Sequence, residues 1–251
     1  MSLWSRVAGG LLAVAIALPV VRADAADVSV AVAANFTDAA NEIGAAFQRA
    51  TGHRAVYSFG STGQLYTQIT QGAPFQVFLS ADQATAKRAV DENNAVAGTQ
   101  FTYAVGKLVL YSKNPSLVTG EATLRGGAFR KIALANPSAA PYGSAAMEVM
   151  RALSVLSSLQ PKIVQGDNIG QTYQFIDTGN AELGFVALSQ VIAVRGGSRW
   201  IVPDTLYPPI RQDAVLTRAG ANAAAARQFL DFLKSAEAVA LMERYGYGKG
   251  T

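Results

Sequence analysis

The sequence contains no cysteine and a single histidine, His53, among its 251 residues. Without cysteine the chain cannot form a disulfide, a thiol nucleophile, an iron–sulfur cluster or a cysteine-ligated zinc site. A histidine-rich metal site or a Ser-His-Asp hydrolase would depend on His53 alone. His53 follows Gly52 at the predicted end of a helix, where we expect it to be exposed and to have no catalytic or metal-binding role.

Charged residues are also few, at 15% of the chain against 50% hydrophobic residues. The 21 Lys and Arg and the 17 Asp and Glu give a formal net charge of +4 and are scattered along the sequence. A nucleic-acid-binding surface usually carries a basic stripe, so we expect no nucleic-acid partner. The high hydrophobic content excludes a disordered chain and predicts a sizeable buried core.

The longest apolar run lies at the N-terminus. Arg6 precedes a run from Val7 to Val21, and the small-residue pattern Ala23-Asp24-Ala25 follows it. The run is shorter than the roughly 20 apolar residues of a membrane helix, so it predicts a secretory signal peptide at residues 1–25, cleaved near Ala25. Because no cysteine follows the run, we expect a free periplasmic protein without a lipid anchor.

The rest of the chain alternates between strand-like and helix-like segments. Val28–Val32 is typical of a strand, and a helical stripe that includes Ile43 and Phe47 follows it up to Gly52. Repetition of this order predicts an α/β protein with mostly parallel sheets flanked by helices. The last apolar stripe predicts one closing helix over residues 227–245.

Two long strand-like segments, 101–111 and 210–216, interrupt the alternation. They predict two lobes joined by a pair of hinge strands, with the second lobe inserted in the first. We expect residues 26–104 and 214–251 to form lobe I and residues 105–213 to form lobe II.

Four loops, two in each predicted lobe, follow a strand and precede a helix. A helix start offers unpaired backbone N–H groups and the positive end of the helix dipole, so it can hold an anion without a charged side chain. Residues such as Asn and Thr at these positions are also common N-caps, and for any one loop capping is the simpler interpretation. Together the four loops favour a cleft for a small oxyanion. They are Ala33-Ala34-Asn35-Phe36, Gly60-Ser61-Thr62-Gly63, Ala140-Pro141-Tyr142-Gly143 and Asp167-Asn168-Ile169-Gly170.

Asp167 is the one formally charged residue in these loops, and turn formation explains it most simply. A site built from neutral donors favours a fully deprotonated oxyanion, because a protonated one brings a donor that finds no acceptor. Sulfate, molybdate and tungstate are therefore favoured over phosphate.

Six segments, in this order, resemble the periplasmic molybdate-binding proteins that serve ABC importers. The resemblance implies a two-lobed periplasmic-binding-protein fold of type II. It also implies capture of molybdate, and of tungstate, for a membrane-embedded permease by a monomer without enzymatic activity or cofactor, the molybdenum being held only as its oxyanion. The segments are Ala-Ala-Asn-Phe at 33–36, Gly-Ser-Thr-Gly-Gln-Leu-Tyr at 60–66, Gly-Ala-Pro-Phe-Gln-Val-Phe-Leu-Ser-Ala-Asp at 72–82, and residues 103–111, 136–143 and 183–188.

In lobe I the resemblance assigns ligand positions to two residues. Asn35 is similar to the family's first-loop polar ligand, and Thr62 matches a hydroxyl residue of the second loop that uses both its hydroxyl and its N–H. Ser61, beside Thr62 in the same loop, is a further candidate.

In lobe II the resemblance assigns mainly backbone donors. Tyr142 falls where a backbone N–H is donated, with its phenol as a second candidate donor, and Ile169 matches a residue that offers only its N–H. Ala187 stands where some members have a ligand tyrosine, so it is an additional candidate and a departure from the pattern.

Three alternatives stay open at this point. A receptor for sulfate or thiosulfate would use the same fold and differ in cavity radius. An exported enzyme on this fold would need a nucleophile–base pair, a carboxylate pair or metal ligands near the loops, and the sequence has none there. The four-loop pattern argues against a purely structural domain.

Overall fold

The computed structural model describes residues 25–250. The predicted signal peptide lies outside the described residues, except for Ala25 at its end. The described chain forms two β-sheets with apolar cores on both of their faces, and it therefore has two lobes. No helix within residues 25–250 has the length and apolar character needed to cross a membrane.

The sheet of lobe I has six strands in the spatial order β11-β4-β10-β3-β1-β2. β1 pairs in parallel with β2 and β3, whereas the pairings of β10 with β3 and β4, and of β11 with β4, are antiparallel. The sheet is thus mixed, where the sequence predicted a mostly parallel one. Its strands are β1 (Asp27–Ala33), β2 (Arg54–Gly60), β3 (Val77–Leu79), β4 (Phe101–Gly106), β10 (Ile210–Leu216) and β11 (Gly248–Lys249).

The sheet of lobe II has five strands in the order β7-β6-β8-β5-β9 and is also mixed. β6 is parallel to β7 and β8, and β5 is antiparallel to β8 and β9. In both lobes the parallel part of the sheet is the part whose loops were predicted to bind the ligand. The strands are β5 (Leu108–Ser112), β6 (Ile132–Ala135), β7 (Ile163–Gly166), β8 (Leu183–Ala187) and β9 (Ser198–Ile201).

Ten α-helices within the described residues cover these sheets. A short 3₁₀ helix, Ala34–Phe36, precedes the first of them. The α-helices are α1 (Thr37–Thr51), α2 (Thr62–Thr70), α3 (Gln83–Asp91), α4 (Glu121–Gly126), α5 (Pro141–Ala152), α6 (Leu156–Leu159), α7 (Ile169–Asp177), α8 (Leu188–Val191), α9 (Ala224–Leu233) and α10 (Ala236–Arg244).

The single closing helix predicted over residues 227–245 is wrong, because the chain there forms α9 and α10. Ser235 separates them as the N-cap of α10, and its side chain accepts a hydrogen bond of 3.2 Å from the N–H of Ala238. A serine hydroxyl satisfies a helix-start donor that a continuous helix would not expose. The apolar stripe passes through this break, so periodicity alone does not reveal it.

Apolar stripes spaced three and four residues apart hold the helices to the sheets. In α1 the buried side chains include Ala40, Ile43 and Phe47, and the Phe47 ring lies 5.2 Å from that of Phe229 in α9, edge to face. Full burial of a side chain of this size stabilises the fold by about 1.5–3 kcal/mol. This packing holds α1 against the sheet of lobe I, and the chain enters α1 from the end of β1, where the cavity lies.

The chain passes between the sheets twice. β4 ends at Gly106 and β5 begins after Lys107, and the return runs through residues 202–209 into β10. The predicted lobe boundaries, 104/105 and 213/214, fall a few residues inside β4 and β10. Because the apolar pattern continues across Lys107, it indicates a strand without indicating the change of sheet.

Candidate functional site

A small cavity lies between the two lobes where the four predicted loops meet. It encloses about 200 Å³, part of which is open to solvent, and no residue that lines it carries a formal charge. The lining residues are Ala33, Ala34, Asn35, Gly60, Ser61, Thr62, Ala81, Ala140, Pro141, Tyr142 and Ile169.

A larger groove borders the cavity, with a volume of about 1030 Å³ that includes open solvent. Its lining shares Ala140 and Pro141 with the cavity but also includes Asp82, Glu148 and Arg211. The smaller cavity is the better candidate site, because it alone brings together residues from all four loops.

Strand register explains why the loops converge. Ala33 at the end of β1 pairs with Gly60 at the end of β2, and Ala135 at the end of β6 pairs with Gly166 at the end of β7. The carboxyl ends of neighbouring parallel strands therefore lie level, and the helices that follow begin side by side. In open α/β sheets this edge is where ligands bind.

The lobe I side of the cavity carries two buried hydroxyls. Ser61 is the N-cap of α2, and its Oγ is buried without a hydrogen-bond partner among the described residues. Thr62 Oγ1 accepts a hydrogen bond of 3.0 Å from the N–H of Ala81, so its own proton remains available to a second acceptor. An unsatisfied buried hydroxyl costs free energy, and an oxyanion in the cavity would satisfy it.

The lobe II side offers helix starts. Pro141 is the first residue of α5 and has no N–H, so Tyr142 has the first N–H of that helix. Ile169 is the first residue of α7, after the N-cap Asn168, whose side chain accepts from the N–H of Gln171 at 3.0 Å. The N–H groups of Tyr142 and Ile169 are among those that a helix leaves without an internal partner.

The phenol of Tyr142 points past the cavity toward the crossing between the lobes. A Cβ built on Gly106, at the end of β4, would lie 2.0 Å from the Tyr142 hydroxyl, and Gly106 does not line the cavity. The hydroxyl is buried beside the side chain of Gln212, and burial raises the pKa of Tyr142 well above its usual value. In this arrangement Tyr142 faces the cavity with its backbone.

Asn35 lies at the cavity, but its carboxamide is engaged behind it. Nδ2 donates to Oε1 of Gln212 at 2.8 Å and to the hydroxyl of Tyr247 at 3.0 Å, which uses both amide protons. Ser189 Oγ donates to the backbone oxygen of Asn35 at 2.8 Å. Asn35 therefore presents backbone to the cavity while its side chain anchors the loop.

Sequence reasoning missed Gln212, Tyr247 and Ser189. Gln212 and the neighbouring Asp213 are buried polar residues inside the apolar strand β10, and that interruption could have singled them out. Tyr247 follows the last helix with no motif around it. Only the pairing of β11 with β4 brings it to the first loop.

Two residues discussed in the sequence analysis lie outside the cavity: the candidate Ala187, and Asp167, which turn formation explains. Ala187 is buried at the end of β8 and does not line the cavity, and its N–H donates to Oε1 of Gln190 at 3.0 Å. Asp167 is exposed and also absent from the lining. The expectation that His53 is exposed is wrong, because it is buried and its Nδ1 accepts from the N–H of Ala26 at 3.1 Å.

The cavity can therefore hold a small anion through hydroxyls, peptide N–H groups and helix dipoles. Within residues 25–250 no group of three or more acidic or histidine side chains is placed to hold a metal ion. The buried phenols nearby stay neutral, since burial raises the pKa of Tyr103 and of Tyr247 as well.

Comparisons with known proteins agree with this architecture. The chain is 55% identical over 236 residues to the molybdate-binding protein ModA of Rhodobacter capsulatus, covering 94% of this chain and 92% of that protein. It is 50% identical over 230 residues to the molybdate-binding protein ModA of Azotobacter vinelandii, covering 90% and 91%.

Solved structures give the same result. The periplasmic molybdate-binding protein of Azotobacter vinelandii superimposes with a TM-score of 0.85 at 40% identity, covering 88% of this chain and 98% of that one. The sulfate-binding protein SubI of Mycobacterium tuberculosis H37Rv superimposes with a TM-score of 0.73 at 12% identity, which shows a shared fold alone. Residues 28–248 match the family of bacterial extracellular solute-binding proteins. The chain therefore belongs to that family, and within it to the group of the molybdate-binding proteins.

Proposed function

We propose that this protein captures molybdate, and tungstate, in the periplasm and delivers it to the membrane-embedded permease of an ABC importer. The observation that carries the proposal is the uncharged cavity with the buried, unpartnered hydroxyl of Ser61. The names of the two relatives at 55% and 50% identity support the choice of molybdate.

The donors in the cavity favour a fully deprotonated oxyanion. The oxygen of Thr62 already accepts from Ala81, so its hydroxyl is set to donate. The N–H groups of the helix starts are donors only. A phosphate that keeps a proton would present a donor to this set and leave it unpaired, which penalises it against a dianion without protons.

In this proposal five residues hold the anion from both lobes. Thr62 donates its hydroxyl and its N–H, Asn35 contributes backbone N–H, and Tyr142 and Ile169 donate their N–H groups from lobe II. Ser61 adds the second hydroxyl. Ala187, at the end of β8, does not contact the anion, and the molybdenum has no side-chain ligand.

The signal peptide is removed near Ala25, and the mature monomer diffuses in the periplasm with no resident cofactor. It is a receptor, not an enzyme. The permease recognises both lobes after they have closed on the anion.

Titration calorimetry on the mature protein tests this function. Protein expressed without residues 1–25 is unfolded in denaturant, dialysed free of anions and refolded, then titrated with molybdate, tungstate, sulfate and phosphate. We expect tight binding of the first two at one anion per chain and weak or no binding of the others. Tight binding of sulfate with none of molybdate would establish the sulfate-receptor alternative instead.

A further inference from the structure

A buried cluster of polar side chains lies behind the anion cavity and spans both lobes. Asn35, Tyr103, Gln212 and Tyr247 belong to lobe I, and Ser189 in α8 belongs to lobe II. The exposed fraction of every one of them is at most 7%. Buried polar side chains stabilise a structure only when they are hydrogen-bonded to one another or to the backbone.

The amide of Asn35 is held by lobe I alone. Its Nδ2 donates to Gln212 and Tyr247, and the hydroxyl of Tyr103 donates to the same Oε1 of Gln212 at 3.2 Å. These partners sit on β4, on β10 and next to β11, so the hydrogen bonds of the Asn35 amide N–H groups do not depend on lobe II.

The backbone oxygen of Asn35 is held from both lobes. It accepts from the Tyr247 hydroxyl at 2.7 Å and from Ser189 Oγ at 2.8 Å, and a carbonyl oxygen has two lone pairs for two such donors. The two hydroxyls are also 3.0 Å apart. Of the two bonds to the Asn35 carbonyl, the one from Ser189 links lobe II to this loop of lobe I.

A glycine next to Tyr247 allows this close contact between the two lobes. Gly246, beside Tyr247, has a φ of +79°, and a Cβ there would lie 2.7 Å from Cδ2 of Leu188 in α8. A glycine thus allows the C-terminal segment of lobe I to approach α8 closely enough for Tyr247 and Ser189 to share one acceptor.

We propose that Ser189 and Tyr247 are positioning residues that form a latch: on closure, Ser189 bonds the Asn35 carbonyl that Tyr247 has oriented, which slows release of the anion. The proposal rests on the proposed function of the cavity. When the lobes separate, Ser189 and the carbonyl return to water, so this bond favours the closed state alone. The bound anion leaves through the open state, and weakening the closed state therefore raises the dissociation rate.

Ser189→Ala is the first test, with molybdate as ligand. Loss of one neutral hydrogen bond predicts an affinity about 2- to 12-fold lower, carried by faster dissociation in stopped-flow measurements with an unchanged association rate. The matched control is Ser112→Ala, which removes a buried hydroxyl bonded to the Glu182 carbonyl inside lobe II. The control should lower the unfolding temperature without changing the dissociation rate.

Tyr247→Phe is the second test, with Tyr245→Phe as its control because the Tyr245 hydroxyl bonds Glu42 at the surface of lobe I. Tyr247→Phe should also speed dissociation. Adding Ser189→Ala to it should then cost less than it costs in the wild type, since the carbonyl is no longer oriented. Strictly additive effects, or an unchanged dissociation rate in Ser189→Ala, would overturn the latch.

Distance measurements separate failure of the latch from failure of the function. Because the chain has no cysteine, spin labels can be placed on exposed positions of the two lobes through Gln68→Cys and Ala152→Cys. We expect Ser189→Ala to lower the fraction of closed molecules without ligand, and Ser112→Ala to leave it unchanged. A wild type that fails to bind molybdate refutes the proposed function, and the ligand-free distances then still decide for or against the latch.

Discussion

The two sides of the cavity are built from different chemistry. Lobe I contributes the side-chain hydroxyls of Ser61 and Thr62, whereas lobe II contributes the helix starts at Tyr142 and Ile169, whose donors are peptide N–H groups. A hydroxyl can be removed by one substitution, but a peptide N–H is lost only when the residue becomes proline or the helix moves. Mutations should therefore affect the two sides through different measurements.

The two lobes also contribute to different steps of the proposed binding: lobe I to the first contact with the anion, and lobe II to closure around it. α2 of lobe I begins with a buried hydroxyl that has no partner within residues 25–250, and in the proposed function this hydroxyl donates to the anion. In the same proposal the N–H groups of lobe II reach the anion only when the lobes are together. Contacts such as the N–H of Gly63 donating to the Ala139 carbonyl at 2.9 Å mark that arrangement.

The largest effect is expected from removing the lobe I hydroxyls. In the proposed site, each of Ser61→Ala and Thr62→Ala removes a hydrogen bond to a charged ligand, at a cost of about 1.5–3 kcal/mol, or roughly ten- to more than hundredfold in affinity. Calorimetry with molybdate measures this loss. Thr62→Ser keeps the hydroxyl and should bind within a few-fold of the wild type.

Stability without ligand distinguishes the same two variants. Ser61→Ala removes a hydroxyl that has no partner in the part of the chain that the structure describes, so the unfolding temperature should stay level or rise. Thr62→Ala leaves the N–H of Ala81 without its acceptor, which costs about 1–3 kcal/mol. Normal molybdate affinity in both variants would mean that the lobe I side does not touch the anion.

Gly63→Ala should have the next largest effect, on closure. A Cβ at Gly63 would lie 3.2 Å from Cα of Ala139 in lobe II, so crowding arises only with the lobes together. Overpacking of this kind costs about 1–3 kcal/mol, which lowers affinity at least severalfold. Alanine is also the better helix former, so ligand-free stability should rise by up to about 1 kcal/mol.

A matched control for Gly63→Ala exists in lobe II. Gly126 ends α4 and has open space around its Cα, so Gly126→Ala changes the helix without touching the other lobe. Thermal unfolding measures the ligand-free stability of both variants, and calorimetry measures their affinity for molybdate. If the two variants bind molybdate with equal affinity, the contact between Gly63 and Ala139 does not limit closure of the lobes.

A smaller effect is expected from the lobe II side. Ile169→Val keeps the N–H and removes one methylene from a buried side chain, at about 0.5–1.5 kcal/mol of folding stability. Molybdate affinity measured by calorimetry should stay within about twofold. A loss comparable to that of Thr62→Ala would show that the side chain, and not the peptide, governs this side of the cavity.

The sequence predicts the features of this molecule that depend on neighbouring residues, and it misses those that depend on distant ones. The order of strands, turns and helices predicts both lobes and places Ser61, Thr62, Tyr142 and Ile169 at helix starts, because these are local properties of the chain. The direction of the Tyr142 phenol is not local, since it depends on the space that Gly106 leaves in another lobe.

The hydrogen bonds that hold the side chain of Asn35 depend on residues even farther away along the chain. The side chain looks like a ligand in the sequence, yet its amide protons go to Gln212 and Tyr247, which are 177 and 212 residues away along the chain. The antiparallel strands that bring them there were not predicted as such. Long-range pairing of short strands such as β11 leaves no periodic signal in the sequence.

The smallest effect concerns pH, because neither side of the cavity carries a charged side chain. Molybdate affinity should stay flat from about pH 6 to 9, since the nearby phenols of Tyr103, Tyr142 and Tyr247 have pKa values raised by burial above their usual 10.0 and stay neutral. The same shifts predict a loss of folding stability at high pH. A phenol whose pKa is raised in the folded state contributes stability in full below the unfolded pKa, and that contribution falls as pH rises above about 10. Urea unfolding at pH 8, 10 and 11 measures the loss, and Tyr103→Phe should lessen it. An affinity that changes tenfold between pH 6 and 9 would require a titrating group in contact with the anion and would refute a cavity built from neutral donors on both sides.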